Sequence, residues 1–226
     1  MSISNLFHSP TPWEDVLNVR TRLSEYISGS RLAHTLSVEK QALDIAKIIF
    51  PLCGIDEIYF SDVSCSALLH DLTKHFSLDE QLGLCEKYNI PIDEVTEKNC
   101  AMLHSKTAAH LAKELFSIND CVFEAIYNHT VGADNMSMIS KIVFLADYIE
   151  PCRTPKSCKE VRDLFYSYLN EHNTDPQLTL DFCIIKSIDY TLQYLLTQNL
   201  PIHIQTIKTR NCILENVRDF DHEKQF

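Results

Sequence analysis

Only four glycines are spread over 226 residues, and that scarcity excludes most of what a chain of this length can fold into. Tight hairpins of the primed type need φ > 0 at a central residue and recruit Gly for it, so a sheet-rich fold would carry more. The apolar residues instead recur at helical spacing. Leu17, Leu23 and Ile27 mark a first helix that begins after Pro12 and stops near Gly29. Leu32, Leu36, Leu43, Ala46 and Ile49 form a broad face on a second, with Ser30 as its cap and Pro51 and Gly54 as its break. A third apolar stretch, Val63 to Leu72, comes after Ser61-Asp62 as a capping pair.

The same signals continue along the chain. Ser77 caps Leu78 to Tyr88, Pro91 opens a short helix toward Glu97, and a longer helix spans Asn99 to Phe116. Asn119-Asp120 caps a helix that ends near His129 and is closed by Gly132, and Ser137 begins another that Pro151 stops. Two further helices, Lys159 to Asn170 and Asp175 to Gln198, precede a last amphipathic piece set off by Pro201. One hydrophobic core can fill a chain of this size. The expected fold is therefore all-α, a single-domain helical bundle over 1–226, with its core at about 12–199 and a C-terminal helical extension and tail at 200–226.

The formal net charge of -11 opposes binding to nucleic acid, whereas a small phosphorylated ligand held through a metal is compatible with it. Nine cysteines, with no C-x-x-C pair, match neither a disulfide framework nor a zinc ribbon and read as thiols in a reducing compartment. Met1 to Trp13 lacks a basic start followed by an apolar core, and no apolar run approaches the roughly 18 residues of a membrane helix. A cytoplasmic protein without a membrane partner is expected.

The chemistry centres on His70-Asp71. Adjacent helical residues point about 100° apart, so both reach one ion only if it lies over the helix edge near its end. Imidazole with carboxylate suits iron, manganese or zinc. Alone, this dipeptide is common. Other ligand types stand on separate helices: His34 upstream, and His104, His129 and Asp147 downstream. Asp147 lies among Phe144, Leu145 and Ile149, where a carboxylate without a partner is costly. His8, His75, His110, His172, His203 and His222 read as ordinary surface or core histidines.

The order of these residues resembles that of the HD superfamily of metal-dependent phosphohydrolases, and more narrowly the YqeK group of symmetrical bis(5'-nucleosyl)-tetraphosphatases. The likeness rests on Ser30 to Val38, Ala67 to Lys74, His129-Thr130-Val131-Gly132, Ala146 to Arg153, Pro201-Ile202-His203 and Thr206 to Asn211. The segment His104-Ser105-Lys106-Thr107-Ala108 departs from the group, which more often has small residues and a proline after the histidine.

The resemblance implies an HD-type helical bundle in which His34, His70, Asp71 and Asp147 hold one metal ion. His104 and His129 hold a second, Asp71 bridges the two, and iron is favoured at both positions. It implies symmetrical cleavage of dinucleoside tetraphosphates, such as diadenosine tetraphosphate, into two nucleoside diphosphates by attack of metal-bound hydroxide. Two ions roughly 3.5–4 Å apart suit this chemistry, because they generate the nucleophile and stabilise both oxygens of the displacement. Lys74, Arg31 and Arg153 are expected to neutralise phosphate oxygens. The partner is a small nucleotide, and a homodimer is compatible with this reading. The alternatives are an HD phosphatase of broader nucleotide specificity and a non-catalytic nucleotide sensor that keeps the metal site.

Overall fold

The computed structural model describes residues 8–171 and 175–222. Within them run α1 (Trp13–Tyr26), α2 (Gly29–Cys53), a 3-10 turn (Glu57–Tyr59), α3 (Phe60–Leu69), α4 (Leu78–Lys87) and α5 (Cys100–Phe116). Next come α6 (Asp120–Asn128), α7 (Met138–Ile149), α8 (Lys156–Glu171), α9 (Pro176–Thr197) and α10 (Ile204–His222). No strand occurs among the described residues, so the expected all-α class holds. None of the described helices is long and apolar enough to cross a membrane. Residues 1–7, 172–174 (His172 among them) and 223–226 lie outside the described residues.

Several starts arise from local chemistry. Ser77 forms a capping box with Glu80, and Asn119 and Ser137 accept from the backbone N–H groups of Val122 and Ser140. Other expectations are corrected. Ser28, not Ser30, precedes α2, and Pro51 sits inside its last turn before Gly54 ends the helix with φ +66°. Helix α3 starts at Phe60, so Ser61-Asp62 lies inside it and caps nothing. Asp62 is committed elsewhere: its Oδ1 accepts from Thr11 N, Thr11 Oγ1 and Asn119 Nδ2, and its Oδ2 faces His8 Nε2 at 2.8 Å. Pro91 opens no helix. Asp93 Oδ1 accepts from Val95 N and Thr96 N, a local turn that competes with helix formation.

The buried stripe of α1 is Val16, Val19 and Leu23, and Leu17 points outward, 59% exposed. Leu36 is likewise exposed. Both lie beside the apolar stripe of their helix rather than on it. Two large apolar clusters result. One joins α2, α7, α8, α9 and α10 through residues such as Ile45, Ile49, Ile142, Phe165 and Ile188. The other joins α1, α5 and the loop before α6 through Val19, Leu23, Ala108, Ala112 and Ile118.

Helices α3 and α6 belong to both clusters. Val63 and Ala67 face the first while Cys65, Leu68 and Leu69 face the second, and α6 divides Cys121 and Ala125 from Val122 and Ile126 in the same way. Each fully buried Leu, Ile or Val contributes roughly 1.5–3 kcal/mol. A helix packed against two clusters at once has little freedom to roll, so the residues leaving its C-terminus are fixed in space. His70-Asp71 leaves the end of α3 in this way, and His129 the end of α6.

The C-terminal helices brace the same region. Thr209 on α10 donates to Val131 O at 3.1 Å, and Gly132 next to it has φ +72°. A Cβ on Gly132 would lie 2.4 Å from Thr209 Cγ2, so both backbone conformation and space demand glycine. His203, just before α10, holds Asp93 Oδ2 at 2.9 Å.

Candidate metal centre

Five helices deliver the site. His34 comes from the start of α2, His70 and Asp71 from the end of α3, His104 from α5, His129 from the end of α6 and Asp147 from the last turn of α7. The structure brings all six together. His70, Asp71, His104 and His129 are buried, and His34 and Asp147 are partly open.

Three histidines are oriented by one repeated device. His70 Nδ1 donates to Ala67 O at 2.7 Å, His104 Nδ1 to Ala101 O at 2.8 Å and His129 Nδ1 to Ile126 O at 2.7 Å. A carbonyl only accepts, so the neutral ring keeps its proton on Nδ1 and turns an Nε2 lone pair toward the centre. His104 Nε2 and His129 Nε2 are then 2.9 Å apart. His70 Nε2 is buried with no hydrogen-bond partner, as is Asp71 Oδ1.

Asp71 occupies the middle. Its Oδ1 is 3.2 Å from His104 Nε2, 3.7 Å from both His129 Nε2 and His70 Nε2, and 3.6 Å from Lys74 Nζ. Its Oδ2 accepts from Arg31 Nη1 at 3.1 Å and lies 3.9 Å from His34 Nε2. Asp147 Oδ1 meets His34 Nε2 at 3.0 Å, His70 Nε2 at 3.9 Å and Arg153 Nη2 at 2.7 Å. Arg31, Lys74 and Arg153, read from the sequence as phosphate partners, thus each pair with a carboxylate of the centre. Lys74 Nζ also lies 2.9 Å from His104 Nε2.

Electrostatics keeps His70, His104, Asp71 and Asp147 in their metal-binding forms. Burial lowers His70 to about 4, against the pull of Asp71 and Asp147. Burial and the Lys74 ammonium lower His104 to about 3. Burial would raise the Asp71 carboxyl, but His70, His104, His129 and Lys74 together hold it far below the usual range. Asp147 is held down similarly by His34 and Arg153. Neutral imidazoles and ionised carboxylates are what a divalent cation needs.

The fit to a cation is specific. Two Nε2 lone pairs at 2.9 Å repel, and the orphaned His70 Nε2 and Asp71 Oδ1 point into the same space. His34, His70 and Asp71 form one group whose ligand atoms lie within 4.8 Å of one another; so do Asp71, His104 and His129, and likewise His70, His129 and Asp147.

The sequence pattern of the HD domain matches residues 31–152, which contain all six of these side chains. The chain belongs to the HD-domain family. HD membership implies a divalent-metal site. The HD chain is 32% identical over 190 residues to a symmetrical bis(5'-nucleosyl)-tetraphosphatase of Halalkalibacterium halodurans, covering 84% of this chain and 91% of that one. It is 28% identical to the protein of the same name in Staphylococcus aureus, over 83% of this chain and 88% of the other. Its fold is similar to the crystal structure of a predicted HD superfamily hydrolase involved in NAD metabolism from Clostridium acetobutylicum. The TM-score is 0.75 at 25% identity, over 92% of this chain and 99% of that one.

Sequence reasoning passed over two residues of the HD centre. Glu150 is buried, and its Oε1 lies 3.1 Å from His34 Nδ1. Its position three residues after Asp147, just before Pro151, was the available signal. Thr130 Oγ1 stands 3.4 Å from His104 Nε2. Of the other histidines, His8 is held by Asp62, His110 lies against Tyr88, His203 is held by Asp93, and His75 is exposed beside Phe76.

Proposed function

We propose that this chain is a symmetrical bis(5'-nucleosyl)-tetraphosphatase, hydrolysing dinucleoside tetraphosphates such as diadenosine tetraphosphate to two nucleoside diphosphates. The carrying observation is the convergence of three Nε2 lone pairs and two carboxylates on one space. It is joined by the match over nine-tenths of a relative bearing that activity as its name. We assign His34, His70, Asp71 and Asp147 to one ion and His104, His129 and Asp71 to a second, with iron at both, and read 1–226 as one functional unit.

When bound, such ions supply Lewis-acid charge for the phosphate oxygens and make water a nucleophile near neutral pH. The side chains do the rest. Asp71 Oδ1 and Oδ2 face the His104–His129 side and the His34 side respectively, so one carboxylate spans both halves. Water adds to an inner phosphorus, the oxygen bridge between the two central phosphates breaks, and one nucleoside diphosphate leaves. In this reading Lys74 and Arg31, partly exposed beside the buried Asp71, and Arg153 beside Asp147 take up phosphate charge. No side-chain nucleophile is required.

Turnover of the metal-loaded chain on a panel of mononucleotides, nucleoside diphosphates and dinucleoside polyphosphates tests this reading. We expect the tetraphosphate to be preferred. Equal turnover of nucleoside monophosphates would favour a phosphatase of broad specificity, and binding without turnover a sensor.

A further inference from the structure

His34 differs from the other three histidines of the centre. Their Nδ1 atoms donate to neutral carbonyls three residues earlier in the chain, whereas the Nδ1 of His34 is met by a carboxylate 116 positions later, Glu150 Oε1 at 3.1 Å. Glu150 comes directly after the last residue of α7, and Asp147 Oδ1, from the same helix end, faces the other ring nitrogen at 3.0 Å. One end of α7 therefore grips both nitrogens of a ring borne on α2.

Glu150 is built to stay where it is. Its side chain is 1% exposed, its Oε2 accepts from Cys152 N at 2.6 Å, and its backbone carbonyl accepts from the Arg162 guanidinium. A buried carboxylate that accepts from Ser37, a backbone N–H and an imidazole acts on that imidazole: it fixes the proton on Nδ1, aims Nε2 and raises the basicity of that nitrogen.

We propose that Glu150 is a positioning residue for the ion assigned to the His34 side, acting through the His34 ring and contributing a full negative charge that the carbonyls behind the other histidines lack. The inference rests on the assignment of His34 as a ligand under the proposed function. Its consequence is an asymmetric centre: the His34 ring is oriented by a charge delivered by the α7 terminus, the His70, His104 and His129 rings by main-chain carbonyls.

Cobalt(II) titration of the metal-free full chain, followed by its visible absorption and by metal analysis after dialysis, separates the two halves. We expect Glu150→Ala to weaken one of two binding steps by about 10–100-fold, the range for loss of such a partner, and to leave the other step unchanged. Glu150→Gln keeps an acceptor for Nδ1–H while removing the charge, so it should fall between Glu150→Ala and the unaltered chain; it also decides the matter if the alanine variant fails to fold. A merely structural role would lower the melting temperature of the metal-free protein and leave cobalt affinity and spectrum untouched, and that result would overturn the inference. An unaltered chain that takes up no cobalt would instead overturn the ligand assignment beneath it.

Discussion

His104 and His129 hold their Nε2 atoms 2.9 Å apart while each Nδ1 donates to a backbone carbonyl. Neutral rings so arranged present two lone pairs to each other, and only a positive group between or beside them relieves the contact. Lys74 supplies one such charge, 2.9 Å from His104 Nε2. A divalent ion would supply a larger one. The relationship makes His129 a sensitive position: His129→Ala should lower metal content by about one ion per chain in elemental analysis. Full content in that variant would refute the assignment of His129.

Asp71 is the contact shared by both halves, through Arg31, His34, His104 and Lys74. Asp71→Asn keeps the shape and removes the charge, and should abolish stable metal binding while cutting kcat/KM by about a thousandfold, about 4 kcal/mol of transition-state stabilisation. Far-ultraviolet circular dichroism should stay unchanged, because the apolar faces of α3 hold its place.

Lys74→Ala separates the phosphate role from the metal role. Removing an ammonium beside the ligands leaves metal binding equal or tighter, since like charges no longer oppose, while kcat/KM falls about 10–100-fold, about 1.4–2.7 kcal/mol. Loss of metal in this variant would place Lys74 with the centre's framework instead of its substrate.

How far the sequence foretells this molecule depends on how local each cause is. The starts at Ser77, Asn119 and Ser137 were legible because each cap bonds within three residues of itself. The start of α3 was not, because Asp62, an apt cap by type, is spent on Thr11 and Asn119, 51 and 57 positions away. The convergence of His34, His70, Asp71, His104, His129 and Asp147 was readable from their order and motif resemblance. The part of Glu150 depends on α2 meeting the end of α7, a matter of packing that no spacing displays.

Gly132 offers a test of that packing. Gly132→Ala forces a side chain into φ +72° and against Thr209, costing about 1–2 kcal/mol for the backbone and about 1–3 kcal/mol for overpacking. At roughly 2–4 °C per kcal/mol for a chain of this size, calorimetry should show a clear fall in Tm. Adding Thr209→Ala should recover most of the overpacking share, since the nearest atoms are the Thr209 methyl and hydroxyl; strict additivity of the two substitutions would contradict the contact.

The metal-free protein should lose stability on mild acidification. His70 and His104 titrate at about 4 and about 3 in the fold, against about 6.5 in an unfolded chain, so from about pH 6.5 downward the unfolded chain binds protons that the folded one refuses. His34 is raised despite its burial, chiefly by Asp147. Its stabilisation is complete below about pH 6.5 and fades as pH rises through its folded value, so it opposes the trend set by His70, His104 and the likewise lowered His110. Asp71 and Asp147, held low, lose their contribution only below about pH 4. Urea midpoints should therefore fall between about pH 7 and about pH 5, and a rise across that interval would contradict the neutral state of the two rings.

The most direct measurement is the identity of the products when the metal-loaded full chain acts on diadenosine tetraphosphate. Cleavage between the central phosphates yields two equivalents of ADP and nothing else at early times. Release of AMP with ATP would contradict symmetrical hydrolysis.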